Sequence, residues 1–334
     1  MNPLISIVMP VKNAGEFLSS CICSIIDQFY ENWELIAVDD HSSDDSLEVL
    51  KKYSLQDDRI YVYKNQGNGI IDGLKTAFQF VKGTFITRMD ADDLMMKDKL
   101  WLMLQSLMSH GRGYIAVGGV CYFSKNQLGE GYINYAKWLN QLTVKGNNFK
   151  DIYKECVIPS PCWMVDIADF KNAGGFNSNV YPEDYDLAFR FYKSGLIVIP
   201  TTNVLHLWRD YTTRTSRTDE NYADNSFIPL KCSYFLKLHY DKDRALMLLG
   251  AGKKGKSIAK NFVERNISFS WWCNNPNKIG KEIYGKKLLP FDTIDNYEKS
   301  QCIIAFTDKH SQHQLKDKFK NLSLVGLKDY FFFC

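Results

Sequence analysis

Apolar residues fall along this chain in short dense runs, separated by longer stretches where they recur every third or fourth position. Ile5–Met9, Trp33–Val38, Ile60–Tyr63 and Phe85–Met89 are such runs, interrupted only at Ser6, Glu34, Thr87 and Arg88, and each reads as a buried strand. Between them, Phe17, Leu18, Cys21, Ile22, Ile25 and Ile26 keep helical spacing, Ser42–Ser46 offers N-cap chemistry to a helix through Leu47, Val49 and Leu50, and Ile70–Val81 forms a third helix stopped by Gly83. This alternation predicts an α/β fold built on a doubly wound, mostly parallel sheet. Further along, the pattern predicts a helix over Leu94–Met108, strands at Tyr114–Val120, Ser160–Val165, Leu196–Ile199 and Val204–Tyr211, and a helix running from Glu183 to a C-cap at Gly195. Residues 122–160 show weak periodicity and read as a long, partly irregular region. A polar run, Thr212–Thr218, closes this part. Ala245–Leu249 then opens a second unit: a strand leading into Gly250-Ala251-Gly252-Lys253-Lys254-Gly255 and a helix, with later strands at Ile267–Cys273 and Cys302–Phe306. The predicted division is 1–243 and 244–334, the second part a small Rossmann-like domain.

Composition adds little beyond a sizeable core: 334 residues, 45% hydrophobic and 14% aromatic. No repeat, low-complexity tract or membrane-spanning apolar run is visible. The first residues lack a basic stretch and enter a strand at once, so no signal peptide is expected. The nine cysteines are scattered; Cys21, Cys121 and Cys302 sit in apolar runs, and Cys21 and Cys23 are too close for a typical zinc or redox pair, which suits a reducing, cytoplasmic setting. Charge is uneven. From Arg244 on there are 16 Lys/Arg against 8 Asp/Glu, and before it 25 against 30. A basic second part suits phosphates or anionic headgroups, including peripheral contact with a membrane, or simply complements the acidic first part; nucleic acid is not expected as a partner.

The chemistry lies at strand ends. Phe85–Met89 stops at Asp90-Ala91-Asp92-Asp93, and Trp33–Val38 stops at Asp39-Asp40. In an open α/β sheet, ligands bind beyond the carboxyl ends of strands. An Asp-x-Asp there offers hard oxygen ligands to Mg²⁺ or Mn²⁺, a cation that completes its shell with waters and substrate phosphates. The plain alternative is an acidic helix start.

Several motifs come in a fixed order: Pro10-x-x-Asn13, Val38-Asp39-Asp40-x-Ser42-x-Asp44, Arg88-Met89-Asp90-Ala91-Asp92-Asp93, Gly174-Gly175-Phe176 and Glu183-Asp184-x-Asp186-Leu187. In this order and spacing, residues 4–220 resemble the family 2 glycosyltransferases with the GT-A fold. The resemblance implies a donor site containing Pro10, Asn13, Asp40, Arg88, Asp90 and Arg209, with Asp40 on the nucleotide base. It implies a metal, Mn²⁺ or Mg²⁺, on Asp92 and Asp90, and a catalytic base at Asp184. The implied reaction is inverting transfer from a nucleotide-diphosphate sugar, a UDP-sugar first among the candidates, to a glycan, lipid-linked or surface-polysaccharide hydroxyl. One departure stands out: where many relatives carry a His after a Tyr-Arg pair, this chain has Trp208-Arg209-Asp210-Tyr211. His206 reads equally as a packed strand residue, and Arg209, Arg214 and Arg217 as a diphosphate clamp or a solvated face.

The second unit follows the strand–turn–helix context in which G-x-G-x-x-G carries weight, so Gly250, Gly252 and Gly255 are candidate nucleotide contacts. The acid expected to hold a ribose is replaced near Cys273-Asn274-Asn275. That argues for binding, regulation or docking rather than hydride transfer, and glycines that merely pack helix on strand fit as well. Among rivals, a nucleotidyltransferase would carry a Gly-rich basic loop after the first strand, which Pro10–Gly15 is not. A glycosidase needs two carboxylates but no strand-end Asp-x-Asp. A non-catalytic nucleotide-sugar sensor would bind the donor without releasing nucleoside diphosphate.

Overall fold

The structure, a computed structural model, describes residues 2–125, 127–214, 217, 227–294 and 297–334. They form two compact units, one of Met1–Phe149 with Cys156–Arg217, the other of Lys150–Glu155 with Thr218–Cys334. The polar run before Thr218 lies in part outside the described residues.

The first unit runs β1 (Ile5–Val11), α1 (Gly15–Ile26), β2 (Trp33–Asp39), α2 (Ser46–Ser54), β3 (Ile60–Lys64), α3 (Gly69–Phe78), β4 (Phe85–Arg88), β5 (Leu94–Met95), α4 (Lys99–His110), β6 (Tyr114–Val117), β7 (Gly119–Phe123), α5 (Glu130–Lys145), β8 (Trp163–Asp166), α6 (Ile167–Asn172), α7 (Glu183–Lys193), β9 (Ile197–Ile199) and β10 (Val204–Arg209). Its main sheet has the order β3-β2-β1-β4-β8-β6-β9. The first four of these are parallel, β8 is antiparallel to β4 and β6, and β9 is parallel to β6. This is the mostly parallel α/β sheet the pattern predicts. Pro10 is tolerated in the central strand because β4 pairs only as far as Val8↔Arg88, so its missing N–H falls beyond that ladder. The switch in strand order lies between β1 and β4, the edge where ligands enter such sheets.

A small sheet, β5-β10-β7, lies beside the Asp cluster. Here the sequence reading needs correction. Residues 122–160 include a sixteen-residue helix, α5, that buries Ala136, Leu139, Leu142 and Thr143. Its polar face diluted the periodicity, and Asn140 performs a task that no pattern shows: its amide accepts from Val120 N at 2.9 Å and donates to Val120 O at 2.8 Å, satisfying the edge of β7. The predicted helix at 94 likewise starts later, at Lys99, because Leu94 and Met95 are taken by the ladder with β10.

The second unit begins earlier than residue 244. Helix α8 (Ile228–Leu238) belongs to it, since Phe235 packs on Phe262 and edge-on to Phe331 and Phe333. Then follow β11 (Ala245–Leu249), α9 (Lys253–Glu264), β12 (Ser270–Cys273), β13 (Glu282–Ile283), β14 (Lys286–Pro290), β15 (Ser300–Ile304), α10 (Lys309–Asn321) and β16 (Tyr330–Phe332). The sheet order β13-β14-β12-β11-β15-β16 is parallel except for β13, and β11 is the central first strand of a Rossmann-like arrangement. Among the described residues no helix is long and apolar enough to cross a membrane. Cys21 and Cys302 are buried as expected, whereas Cys121 is exposed on β7.

Candidate active site

Three strand ends of the first unit meet around Asp40. Asp40 N donates to Val11 O at 2.7 Å, which turns the chain off β2 beside the end of β1. The Asp40 carboxylate accepts from Lys12 Nζ at 3.0 Å, from Asn65 Nδ2 at 2.6 Å and from Gly69 N at 3.0 Å. Burial opposes its charge, but these bonds hold its pKa below the usual value. Asn65 was not foreseen. It follows β3 and is fixed in turn by accepting from Gly67 N at 3.1 Å.

Pro10 and Asn13 occupy the loop beside this corner. Asn13 sits at φ 50°, a left-handed conformation that Asn tolerates. Its Oδ1 accepts from Ser43 N at 2.8 Å and its N–H donates to Ser42 Oγ at 3.0 Å. Asn13 therefore bolts the loop after β1 to the loop after β2. Pro10 lies under α3, with its Cβ 3.4 Å from where a Gly73 Cβ would stand.

Beyond β4 the chain folds back on itself, Asp93 N donating to Asp90 O at 3.2 Å. This turn sends the three carboxylates in different directions. Asp93 is fully buried and accepts from His206 Nε2 at 3.0 Å and Arg209 N at 2.8 Å. Lys99, also fully buried, bonds Pro161 O and lies 3.3 Å from His206 Nδ1. A lysine ammonium only donates, so His206 accepts at Nδ1 and carries its proton on Nε2. Burial and then Lys99 push the His206 pKa well down, which keeps the ring neutral. His206 is thus a packed strut beneath the Asp cluster. Lys99 had a sequence signal: it shares the buried face of α4 with Leu100, Met103, Leu104 and Leu107.

Asp92 faces the other way. Its Oδ2 accepts from Tyr211 Oη at 3.0 Å, so the segment just past β10 touches the Asp-x-Asp directly. Burial, then Asp93, push the Asp92 carboxyl up to about 7, against the pull of Arg214. Burial opposes the Arg214 charge, yet Asp93 and Asp92 hold it firmly protonated. Arg209 is spent differently from the expectation. Nε donates to the Asp92 carbonyl at 2.6 Å and Nη2 to Ser20 Oγ at 3.0 Å, while the guanidinium lies over Phe17 and Phe123 at 4.8 and 4.6 Å. Arg217 pairs with Asp210 through two bonds of 2.8 and 2.7 Å. Of these three arginines, Arg214 is the one whose charge bears on the Asp92 and Asp93 carboxyls.

Asp90 and the start of α7 share one cation. Arg88 donates from Nε to Asp90 Oδ1 at 2.9 Å and from Nη1 to Glu183 Oε1 at 2.8 Å. Glu183 is thereby paired, and Asp184, the other member of the acidic couple, accepts from Tyr185 N at 2.7 Å. Burial, then Glu183, push the Asp184 carboxyl up to about 7, with Arg88 opposing. A carboxylate near that value at neutral pH accepts a proton readily.

In the second unit the three glycines differ. Gly250 has φ +114°, and a Cβ on it would stand 3.1 Å from Ala305 C. A Cβ on Gly255 would stand 2.0 Å from Gly250 O. Both are explained by close packing of turn, helix and β15. Gly252 meets nothing within 4 Å. Lys278 Nζ donates to Ala251 O at 2.8 Å, across the same turn. After β12, Asn275 Oδ1 accepts from Asn277 N at 3.0 Å, an amide where a ribose-holding acid is expected.

Comparison with known proteins agrees with this architecture. Residues 6–173 match the family described as glycosyl transferase family 2, a stretch that includes Asp40 and the Asp-x-Asp and ends before Asp184. TuaG of Bacillus subtilis, named for teichuronic acid biosynthesis, is 32% identical over 117 residues, 35% of this chain and 46% of its own. The Escherichia coli UDP-Glc:alpha-D-GlcNAc-diphosphoundecaprenol beta-1,3-glucosyltransferase WfgD is 33% identical over 113 residues, 34% of this chain and 44% of its own. The chain thus spans less than half the length of either relative. The crystal structure of Staphylococcus aureus TarS 1-349 with UDP-GlcNAc superposes with a TM-score of 0.55 at 17% identity, covering 78% of this chain and 72% of that one, a likeness of fold. With half its length inside the family match and the strand-end carboxylates in place, the chain belongs to glycosyl transferase family 2.

Proposed function

We propose that the first unit is a metal-dependent inverting glycosyltransferase, moving a sugar from a nucleoside-diphosphate sugar, a UDP-sugar first, to a hydroxyl of a glycan, lipid-linked or surface-polysaccharide acceptor. The observation that carries it is the single guanidinium of Arg88 held between Asp90 and Glu183, which puts the Asp-x-Asp edge and the Asp184 helix start at one place. The donor and acceptor in WfgD's name support the substrate class, as does the nucleotide sugar bound to TarS. A cytoplasmic protein, peripheral where a lipid-linked acceptor reaches the membrane face, fits this reading.

The donor set fits a hard divalent cation. Tyr211 engages Oδ2 of Asp92 and Arg88 engages Oδ1 of Asp90, and among the described residues no hydrogen bond takes the other oxygen of either. Buried like charges at this turn raise the Asp92 pKa, a cost that a cation relieves. Asp92 and Asp90 would hold Mn²⁺ or Mg²⁺, which when bound neutralises the diphosphate as a Lewis acid. Asp40, whose oxygens accept from Lys12, Asn65 and Gly69, would meet a base N–H by exchanging one of these bonds for it. Asp184 takes the acceptor hydroxyl proton as its oxygen bonds to the anomeric carbon, and the bond to the diphosphate breaks with its electron pair on phosphate oxygen. In-line attack inverts the centre. The test is release of UDP from a panel of UDP-sugars with and without Mn²⁺: release is expected only with the cation, and cation-independent release, or donor binding with no release at all, would overturn the proposal.

A further inference from the structure

The family resemblance implies Arg88 as a donor contact, but in the structure its bonds go to two carboxylates. Its side chain is 5% exposed, and the partners Asp90 and Glu183 are 21% and 12% exposed. The two bonds use Nε and Nη1 at 2.9 and 2.8 Å, and the second joins residues 95 positions apart in sequence. Burial opposes the guanidinium charge, yet Asp90, Glu183 and Asp184 around it hold it protonated. An arginine held at two edges and shut away from solvent is a strut rather than a ligand.

We infer that Arg88 is a positioning residue that ties Asp90, on the donor edge, to Glu183, the first residue of α7, and so fixes the Asp184 carboxylate against the donor. The inference rests on the reading of Asp184 as base. The planar guanidinium fork sets both the distance and the angle between its two carboxylates, which a lysine ammonium does not. Without it, two part-buried carboxylates of like charge are left uncompensated, and the start of α7 must move. A shift of about 1 Å at a catalytic group costs on the order of 10²-fold in rate. Glu183 completes the device. By occupying Nη1 it keeps Arg88 from pairing with Asp184, which stays available to the acceptor.

The experiment uses the full chain and two readouts, turnover as UDP release from a UDP-sugar with Mn²⁺, and affinity for UDP with Mn²⁺ by calorimetry. Arg88→Lys and Glu183→Gln should each lower turnover by about 10²-fold with UDP affinity within about 3-fold of the starting protein. Because both cut one strut, the double variant should fall no more than about 3-fold below the worse single, where independent effects would multiply. A parallel fall of UDP affinity and turnover in Arg88→Lys would make Arg88 a donor ligand and overturn the inference, as would a multiplicative double variant. Should Arg88→Lys fail to fold, the paired Arg88→Met/Glu183→Gln removes both charges together; lost UDP affinity in that protein overturns the inference, and kept affinity with lost turnover supports it. A starting protein that binds UDP and Mn²⁺ but transfers nothing would count against the proposed reaction. The strut would then stand or fall on whether the same variants are non-additive in thermal unfolding.

Discussion

The two units present the same kind of edge, the carboxyl ends of parallel strands at a switch in strand order, with opposite economies. At the first unit's edge, buried and part-buried carboxylates crowd together, and Asp92 and Asp184 are both pushed to about 7 by desolvation and like charge. Nothing in packing asks for that arrangement, and a fold without a ligand to serve would do better with apolar residues there. At the second unit's edge, the residues singled out by sequence are explained by packing: Gly250 and Gly255 allow turn, helix and β15 to touch. Unexplained cost marks a site more reliably than a motif does.

The sharpest way to break this contrast is to remove the charges. Asp92→Asn should lower UDP release by more than about 10³-fold and abolish Mn²⁺-dependent donor binding, given the several kcal/mol a cation contributes at a diphosphate. A variant with normal Mn²⁺-dependent donor affinity takes Asp92 out of the metal site. Asp184→Asn should lower turnover by about 10²–10⁴-fold and leave donor affinity nearly unchanged, because a base acts on the acceptor in the transition state. Loss of affinity in parallel would send the search for the base elsewhere.

The same residue links activity to stability. Asp184 is raised from 3.8 to about 7 in the folded protein, so the folded state binds the extra proton between those values. Its contribution to stability is complete below the unfolded pKa and is lost as pH rises through about 7. Asp184→Asn should therefore melt higher than the starting protein at pH 8, with the gap closing toward pH 4. Activity runs the other way, falling below pH 7 as the base is protonated. Equal melting temperatures at pH 8 would show that Asp184 is not strained.

Much of this edge is legible in sequence because its parts are local. A strand run and the residues just past it place Asp40, Asp90 and Asp92 without knowledge of tertiary contacts. What is not legible is who answers them. Asn65, Lys99, His206, Tyr211 and Glu183 reach their partners from distant segments, and a lone buried His or Lys has no pattern that distinguishes strut from ligand. The family resemblance gives Arg88 and Arg209 to the donor, whereas the structure engages Arg88 with two carboxylates and Arg209 with a carbonyl, a hydroxyl and two rings. Helix α5 escaped notice because a surface helix with one narrow apolar face resembles an irregular segment when its exposed side is rich in Tyr, Asn and Gln. The early start of the second unit was hidden for a related reason: α8 is apolar enough for either unit, and its ring contacts decide the matter.

Smaller effects separate the three glycines. Gly255→Ala should destabilise the protein by about 1–3 kcal/mol, the usual range for forcing atoms into a packed interior, because its Cβ would overlap the Gly250 carbonyl. A silent Gly255→Ala would mean that the turn can open. Gly252→Val should change stability by no more than about 0.5 kcal/mol, since nothing lies within 4 Å of its Cβ and its φ of −77° suits any L-residue. That makes Gly252 the one glycine whose substitution reports on a ligand instead of on the fold. The expectation of weak nucleotide binding at this turn requires a phosphate to approach the open start of α9 closely. In a chain carrying Asp92→Asn, which silences the first edge, titration with NAD, CoA and UDP-sugars followed at the amide signals of Ala251–Lys254 isolates the second. Shifts that disappear on adding Gly252→Val would give the two edges a common use. Amides that stay still with every nucleotide would leave the second unit a packed α/β domain and keep the contrast between the edges intact.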